Sequence, residues 1–302
     1  MRALIVGTGA VGGYFGAKLA RAGHAVVFVA RGENLRALAE RGLEIDAAAS
    51  RSRLCPVRAV ASARGEGPFD LVLVCVKVPD TASALGGVAA ELAPRAIVLS
   101  LQNGIESEPT IERLLGLPPL LRALAYVGAE LVAPGVVRHT SGGTIVVGEI
   151  GALRSERLER LRRWLEEASI EVVVAADILR AKWQKLAWNA AFNLVAALGG
   201  ATIGAILDRP EARRVIAAAM AEVEAVARAE GVEFEPDYVH RVMSRADRDH
   251  RAVRPSTLQD RDRRKPLEHA ALCGAVVRFA ARHGIPTPVN ETLDALARLA
   301  SG

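Results

Sequence analysis

In the stretch WQKLAWNAAFN, Trp183 to Asn193, three polar residues recur at a spacing of four: Lys185, Asn189 and Asn193. Both residue types are scarce, with 5 Lys against 34 Arg and 5 Asn among 302 residues. On an α-helix a step of four residues drifts by only about 40°, so the three form one polar stripe about 12 Å long. The residues around it, Leu186, Ala187, Trp188, Ala190, Phe192 and Leu194, are apolar. Such a stripe either borders a polar ligand or is a solvated face whose asparagines bond their own turns. Asparagine is a mediocre helix former, and arginine would serve a solvent face equally well, which favours the ligand.

A second group of residues sits at the N-terminus. GTGAVG carries Gly7, Gly9 and Gly12, with Thr8, Ala10 and Val11 between them; it follows a short apolar run and opens a helical stretch. That context is the one a dinucleotide fingerprint requires: the glycines permit a tight turn and let backbone N–H groups approach a pyrophosphate at a helix N-terminus. The next strand ends in VFVAR, where an NAD-type domain offers Asp or Glu to the ribose hydroxyls. Here Ala30 and Arg31 stand instead. A guanidinium in place of the acid fits a 2′-phosphate, so NADP(H) is the expected cofactor. Lys77, at the end of LVLVCVK, lies on the same ligand edge and is expected to reach cofactor phosphate or ribose.

These residues need a frame. ALIVG, AVVFVA, LVLVCVKV and AIVLSLQNG are short continuous apolar runs, the signature of strands buried on both faces of a parallel sheet. VGGYFGAKLARAG and NLRALAERG read as crossover helices ending at Gly23 and Gly42. GVVRHT and TIVVGE, joined by Ser141, Gly142 and Gly143, read as a hairpin. A helix from Arg154 to Ala168 and a strand from Glu171 to Val174 close this half. From Asp177 the strand signal vanishes: helices are expected from Asp177 to about Leu198, Pro210 to Glu230, Asp237 to Arg245, Leu267 to His283 and Pro288 to Ala300. The expected fold is therefore α/β, an N-terminal Rossmann-type doubly wound parallel sheet over residues 1–176 that binds NADP, and a C-terminal all-helical domain over 177–302 that carries substrate and catalysis.

Composition excludes several alternatives. The net charge of +5 is spread by interleaving, as in RSERLERLRRWLEE, and the densest basic piece, DRDRRK, holds two acids and no aromatic platform, which argues against nucleic acid. Cys55, Cys75 and Cys273 are too scattered for a disulfide framework or a paired metal motif, and the six histidines show no ligand spacing. No metal is expected. No apolar run approaches the roughly 20 residues of a membrane span, and glycines break the N-terminal run too early for a signal peptide. A cytoplasmic protein is expected, with no membrane partner.

With four other pieces, the stripe K-x-x-x-N-x-x-x-N resembles the ketopantoate reductase (2-dehydropantoate 2-reductase) family. The pieces are GTGAVGGYFG, VK at Lys77, LQNG around Asn103, and STLQDRDRRKPLE from Ser256 to Glu268, in order and at suitable spacing along the whole chain. The resemblance implies an NADPH-dependent reductase of a small branched 2-keto acid, 2-dehydropantoate foremost, serving pantothenate and coenzyme A synthesis. It implies that Lys185 protonates the carbonyl oxygen as hydride arrives at the carbon, and that Asn103, Asn189 and Asn193 position substrate and cofactor. Ser256 would hold the substrate carboxylate, while Glu268 would hold the substrate hydroxyl and help fix the lysine. The chemistry agrees, since an alkoxide forming in a dry cleft needs a cation able to release a proton, which lysine is and arginine is not.

Other readings of these residues stand beside that one. Ser256 and Gln259 match a capping box after Pro255, and His269 reads as a neighbour of the site rather than a catalyst. Where the family often shows Glu-Ile-Asp and then Leu-Asn-Gly, this chain has EHAALCG, with His269, Ala270 and Cys273, so an acid and an amide are missing beside the expected substrate pocket. That departure keeps another 2-oxo acid open as substrate. A non-catalytic NADP(H)-binding sensor is the rival of another class, and the retained Lys185, Asn189, Asn193, Ser256 and Glu268 speak against it. A homodimer through the helical domain is the expected assembly.

Overall fold

The structure is a computed structural model and describes residues 1–48, 50–151 and 155–301. It divides into two compact units. The first comprises Met1–Gln102 and Ser107–Ile178; the second, Asn103–Glu106 and Leu179 onward.

The first unit contains β1 (Arg2–Val6), α1 (Ala10–Arg21), β2 (Ala25–Val29), α2 (Gly32–Arg41), β3 (Leu43–Ala47), β4 (Ser50–Leu54), β5 (Arg58–Val60), β6 (Phe69–Val74), α3 (Thr81–Ala84), β7 (Leu92–Ser100), α4 (Ser107–Leu115), β8 (Arg122–Ala133), β9 (Val136–Gly148), α5 (Glu156–Glu167) and β10 (Glu171–Val174). One sheet is wholly parallel, in the order β5-β2-β1-β6-β7. Its central strands are apolar through their buried stretches, residues 3–6, 26–29 and 71–74, because both faces are covered. Ala3 and Ile5 of β1 point into a core shared with α1 and α5, whereas Leu4 and Val6 point into a second core that includes Ile111 and Leu115 of α4. The order reverses between β1 and β6, which places a crevice at the C-terminal end of β1.

A second sheet, β10-β9-β3-β4 with β8 on β9, corrects the hairpin expected within 135–149. Val136–Gly148 is one strand, and it pairs antiparallel with β8; the reversal lies at Pro134 and Gly135. Gly142 (φ +68°) and Gly143 (φ +127°) form an irregularity inside β9, opposite a register shift between Tyr126 and Val127. A side chain at Gly142 would come within 2.5 Å of the Tyr126 carbonyl oxygen, so glycine here serves close approach rather than a turn. Of the helix expected from Arg154, Glu156–Glu167 is observed, capped by Ser155; Arg154 itself lies outside the described residues.

The second unit is built from α6 (Ile178–Trp188), a π turn (Asn189–Asn193), α7 (Leu194–Gly199), α8 (Ile203–Leu207), α9 (Pro210–Ala229), α10 (Tyr238–Asp249), α11 (Ser256–Asp262), a 3₁₀ turn (His269–Ala271), α12 (Cys273–His283) and α13 (Pro288–Leu299). In α9 the buried residues Ile216, Ala219, Met220, Val223, Val226 and Ala227 trace one stripe, which packs with Phe192, Leu272 and Val276 in a single core. No helix among the described residues is long and apolar enough to cross a membrane.

Candidate active site

In the first unit, β1 ends at Val6 and the chain turns through Gly7, Thr8 and Gly9 into α1. Gly7 has φ +99°, and a Cβ there would lie 2.7 Å from the Val76 backbone nitrogen, so no other residue fits the turn. Gly9 is the N-cap of α1, with no side-chain cap and no acid in the first turn, and a Cβ built on it meets nothing within 4 Å. Space therefore lies open at Gly9 beside the positive end of this twelve-residue helix, which suits a pyrophosphate. Thr8 is committed inward: its N–H and its hydroxyl both donate to the Val29 carbonyl (2.9 and 3.0 Å), and its own carbonyl accepts from Asn34 Nδ2 at 2.7 Å.

Two cations flank this turn on the strands either side of β1. Arg31, the N-cap of α2 just past β2, is 68% exposed and pairs with Asp80 at 3.0 Å. Lys77 is exposed just past β6, directly before a 3₁₀ turn over Val78–Asp80. The backbone leading to Lys77 is braced by Gln102, whose Nε2 donates to the Val76 carbonyl (2.9 Å) and to Thr81 (2.8 Å). Residue spacing points to neither Asn34 nor Gln102, although Asn34 is one of only five asparagines.

In the second unit the stripe on α6 runs into the π turn. A π turn closes i→i+5, so each residue rotates less than in an α-helix and the four-residue drift shrinks. Asn189 and Asn193, both buried, accordingly meet: Asn193 Nδ2 donates to Asn189 Oδ1 at 3.2 Å. Asn189 Nδ2 donates to Asn103 Oδ1 at 3.4 Å, and Asn103 Nδ2 to Glu268 Oε2 at 3.4 Å. The three amides thus form a one-way chain that ends on a buried carboxylate.

Lys185 stands one turn before Asn189, half-buried. Removal from water lowers its pKa, the Lys182 ammonium lowers it further, and the Glu268 carboxylate partly restores it, leaving about 8 against the ordinary 10.5. A lysine so placed holds a proton at neutral pH yet releases it readily.

Two contacts place Asn103 against Glu268. Gly104 has φ +92°, and a Cβ there would lie 2.7 Å from the Ala271 carbonyl oxygen, so the loop packs flat on the 3₁₀ turn. Arg278 forms an ion pair with Glu106 and donates to the Ala270 carbonyl at 2.8 Å, tying the same two segments together. His269 bonds through Nδ1 to Asp294 of α13 at 2.6 Å. Cys273, buried, donates to the Ala190 carbonyl of the π turn at 3.3 Å, and burial pushes its thiol pKa up.

Ser256 is exposed at the first position of α11. The capping box, the alternative reading of Ser256, is not formed: Pro255 is the N-cap, and Gln259 Nε2 donates to the Arg254 carbonyl at 3.0 Å. Lys182, buried on α6, is a further residue that the spacing argument passes over.

A parallel sheet with an open helix terminus at its switch point, joined to an all-helical unit, is the design of an NAD(P)-dependent oxidoreductase. Residues 3–152 match the family described as ketopantoate reductase PanE/ApbA, and residues 177–301 match its C-terminal counterpart. The chain belongs to the ketopantoate reductase family. It is 32% identical over 320 residues to a 2-dehydropantoate 2-reductase of Mesorhizobium japonicum, covering 99% of this chain and 97% of that protein. The crystal structure of a PanE/ApbA family ketopantoate reductase from Ralstonia eutropha superposes with a TM-score of 0.91 at 36% identity, covering 100% of this chain and 98% of that one. D-mandelate dehydrogenase, solved with NADH and anilino(oxo)acetate, shares the fold at a TM-score of 0.93 and 22% identity over 100% of this chain and 98% of its own.

Proposed function

We propose that the protein uses NADPH to reduce a small branched 2-keto acid to the 2-hydroxy acid, with 2-dehydropantoate as the first candidate. The observation that carries this is Lys185, its pKa lowered to about 8 beside an amide chain closing on the Glu268 carboxylate. The cofactor supplies the hydride. Lys185 supplies the proton to the carbonyl oxygen, which would otherwise become a free alkoxide. Asn103, Asn189 and Asn193 orient substrate and cofactor, Glu268 holds the substrate hydroxyl and steadies Lys185, and Ser256 takes the carboxylate.

The first unit is assigned to NADP(H): the turn Gly7 to Gly12 to the pyrophosphate, and Arg31 and Lys77 to phosphate and ribose. The second unit is assigned to substrate and catalysis. The chain acts in pantothenate synthesis in the cytoplasm and pairs as a homodimer on this reading. Following NADPH oxidation by absorbance over a panel of 2-keto acids tests it. Fastest turnover with 2-dehydropantoate supports the assignment, and no oxidation with any member of the panel overturns it.

The same chemistry on another 2-oxo acid is the second reading. It is favoured by Cys273, which stands where the family often has an amide and spends its single donor on the Ala190 carbonyl. The same panel separates the two.

A further inference from the structure

We propose that Lys182 is a positioning residue for the reduction: a buried ammonium, one helical turn before the half-buried Lys185 on the same side of α6, that readies Lys185 to give up its proton. The inference rests on reading Lys185 as the acid.

The placement is costly and therefore informative. Lysine is rarely withdrawn from water, yet Lys182 is 5% exposed. The same helix shows what this chain does with a cation meant for solvent, because Arg180 is 39% exposed and pairs with Glu235 at the surface. Where 34 of 39 basic residues are arginine, two lysines three positions apart on one helix depart from the chain's habit.

Residues at i and i+3 are neighbours on a helix surface, with Cβ atoms about 5–6 Å apart. Two ammonium groups carried by such neighbours, drawn away from bulk water, repel when both are charged. Lys182, from its own helix, and Glu268, from the segment before the 3₁₀ turn, both act on Lys185. They oppose each other. Removal from water lowers the lysine's pKa most, Lys182 adds to that and Glu268 works against it, which leaves a donor matched to neutral pH.

Lys185 works in its protonated form, so the rate falls as pH rises through its pKa. Removing the Lys182 charge raises that pKa, and the falling limb of the kcat profile moves to higher pH by about one unit. Lys182→Met keeps the stem without the charge, Lys182→Gln is a second neutral variant should methionine fail to fold, and Lys182→Arg keeps the charge. The chain has only 5 lysines, so ¹³Cε NMR of lysine-labelled full-length protein gives five signals, and Lys185→Met identifies one of them.

The expected result is that the Lys185 signal titrates higher in the neutral variants, that the kcat limb moves with it, and that Lys182→Arg leaves both in place. A Lys185 titration unchanged in a folded neutral variant overturns the role of Lys182 while the acid assignment stands. A Lys185→Met protein that keeps its rate removes the acid itself, and the inference falls with it.

Discussion

Arg31 and Asp80 face each other at 3.0 Å across the C-terminal edge of the parallel sheet, one just past β2 and the other in the 3₁₀ turn after β6. Asp80 therefore holds the guanidinium near the crevice at the end of β1, where the ribose of a dinucleotide would lie. A charge-assisted contact to a 2′-phosphate is worth about 1.5–3 kcal/mol, roughly 10- to 150-fold in affinity. NADPH should bind more tightly than NADH by that factor, and Arg31→Ala should remove the difference while leaving NADH within about threefold. Fluorescence titration of both cofactors checks it. Equal dissociation constants in the unmutated protein would sink the idea.

Glu268 lies at the end of the amide chain and acts electrostatically on Lys185, so its loss should register in catalysis rather than in cofactor binding. Glu268→Ala should raise the KM for the keto acid and lower kcat, with NADPH affinity held within about threefold, a shift under roughly 1 kcal/mol. Steady-state kinetics with a direct NADPH titration separates the two effects. Collapse of NADPH binding in a folded Glu268→Ala protein would show the role to be misassigned.

Gly104→Ala probes how the loop places Asn103. The φ of +92° and the 2.7 Å approach to the Ala271 carbonyl oxygen leave an added methyl group no room, and the obstacle is backbone. We expect a loss of about 1–3 kcal/mol in a urea melt. Turnover should also fall as Asn103 moves off Glu268. A protein with the parent's midpoint and the parent's kcat would mean the loop does not set the amide's position.

The parallel sheet was legible in the sequence because its strands are buried on both faces, and burial on both faces leaves an unbroken apolar run. The second sheet was legible only in part, in β10 at Glu171–Val174 and in the two halves of β9. β4 reads SRSRL and lies half in solvent, and Gly142 and Gly143 imitate a turn inside a strand that in fact continues. The stripe of Lys185, Asn189 and Asn193 was legible because those residue types are scarce. The π turn that aligns the two asparagines was not, since spacing arguments assume 3.6 residues per turn. The bond from Asn103 to Glu268 spans 165 positions of sequence, so no local pattern could announce it. Lys182 shares the scarcity of its residue type with Lys185, but a lysine on an amphipathic helix is ordinarily a surface residue, and its burial is what sets it apart.

Lys185 separates an enzyme from a cofactor-binding sensor. If it gives its proton to the forming alkoxide, Lys185→Met keeps the bulk of the stem and the helix but deletes the acid, and kcat should fall by roughly 10²–10⁴-fold. Cofactor affinity should barely move. Arginine should not restore the rate, because a guanidinium keeps its proton at any working pH and can only stabilise charge. In the unmutated protein kcat should decline as pH rises through about 8, where Lys185 loses the proton it must donate. That decline should be absent from whatever residual rate Lys185→Met retains. Stability should respond in the opposite sense. The folded pKa lies below the unfolded value of 10.5, so the unfolded chain binds more protons between about pH 8 and 10.5, and this one group makes the fold more stable as pH rises through that window. A methionine variant turning over its best keto acid within about threefold of the parent, far from the 10²-fold loss expected of a general acid, would take Lys185 out of the chemistry and leave the two asparagines as members of a structural amide chain.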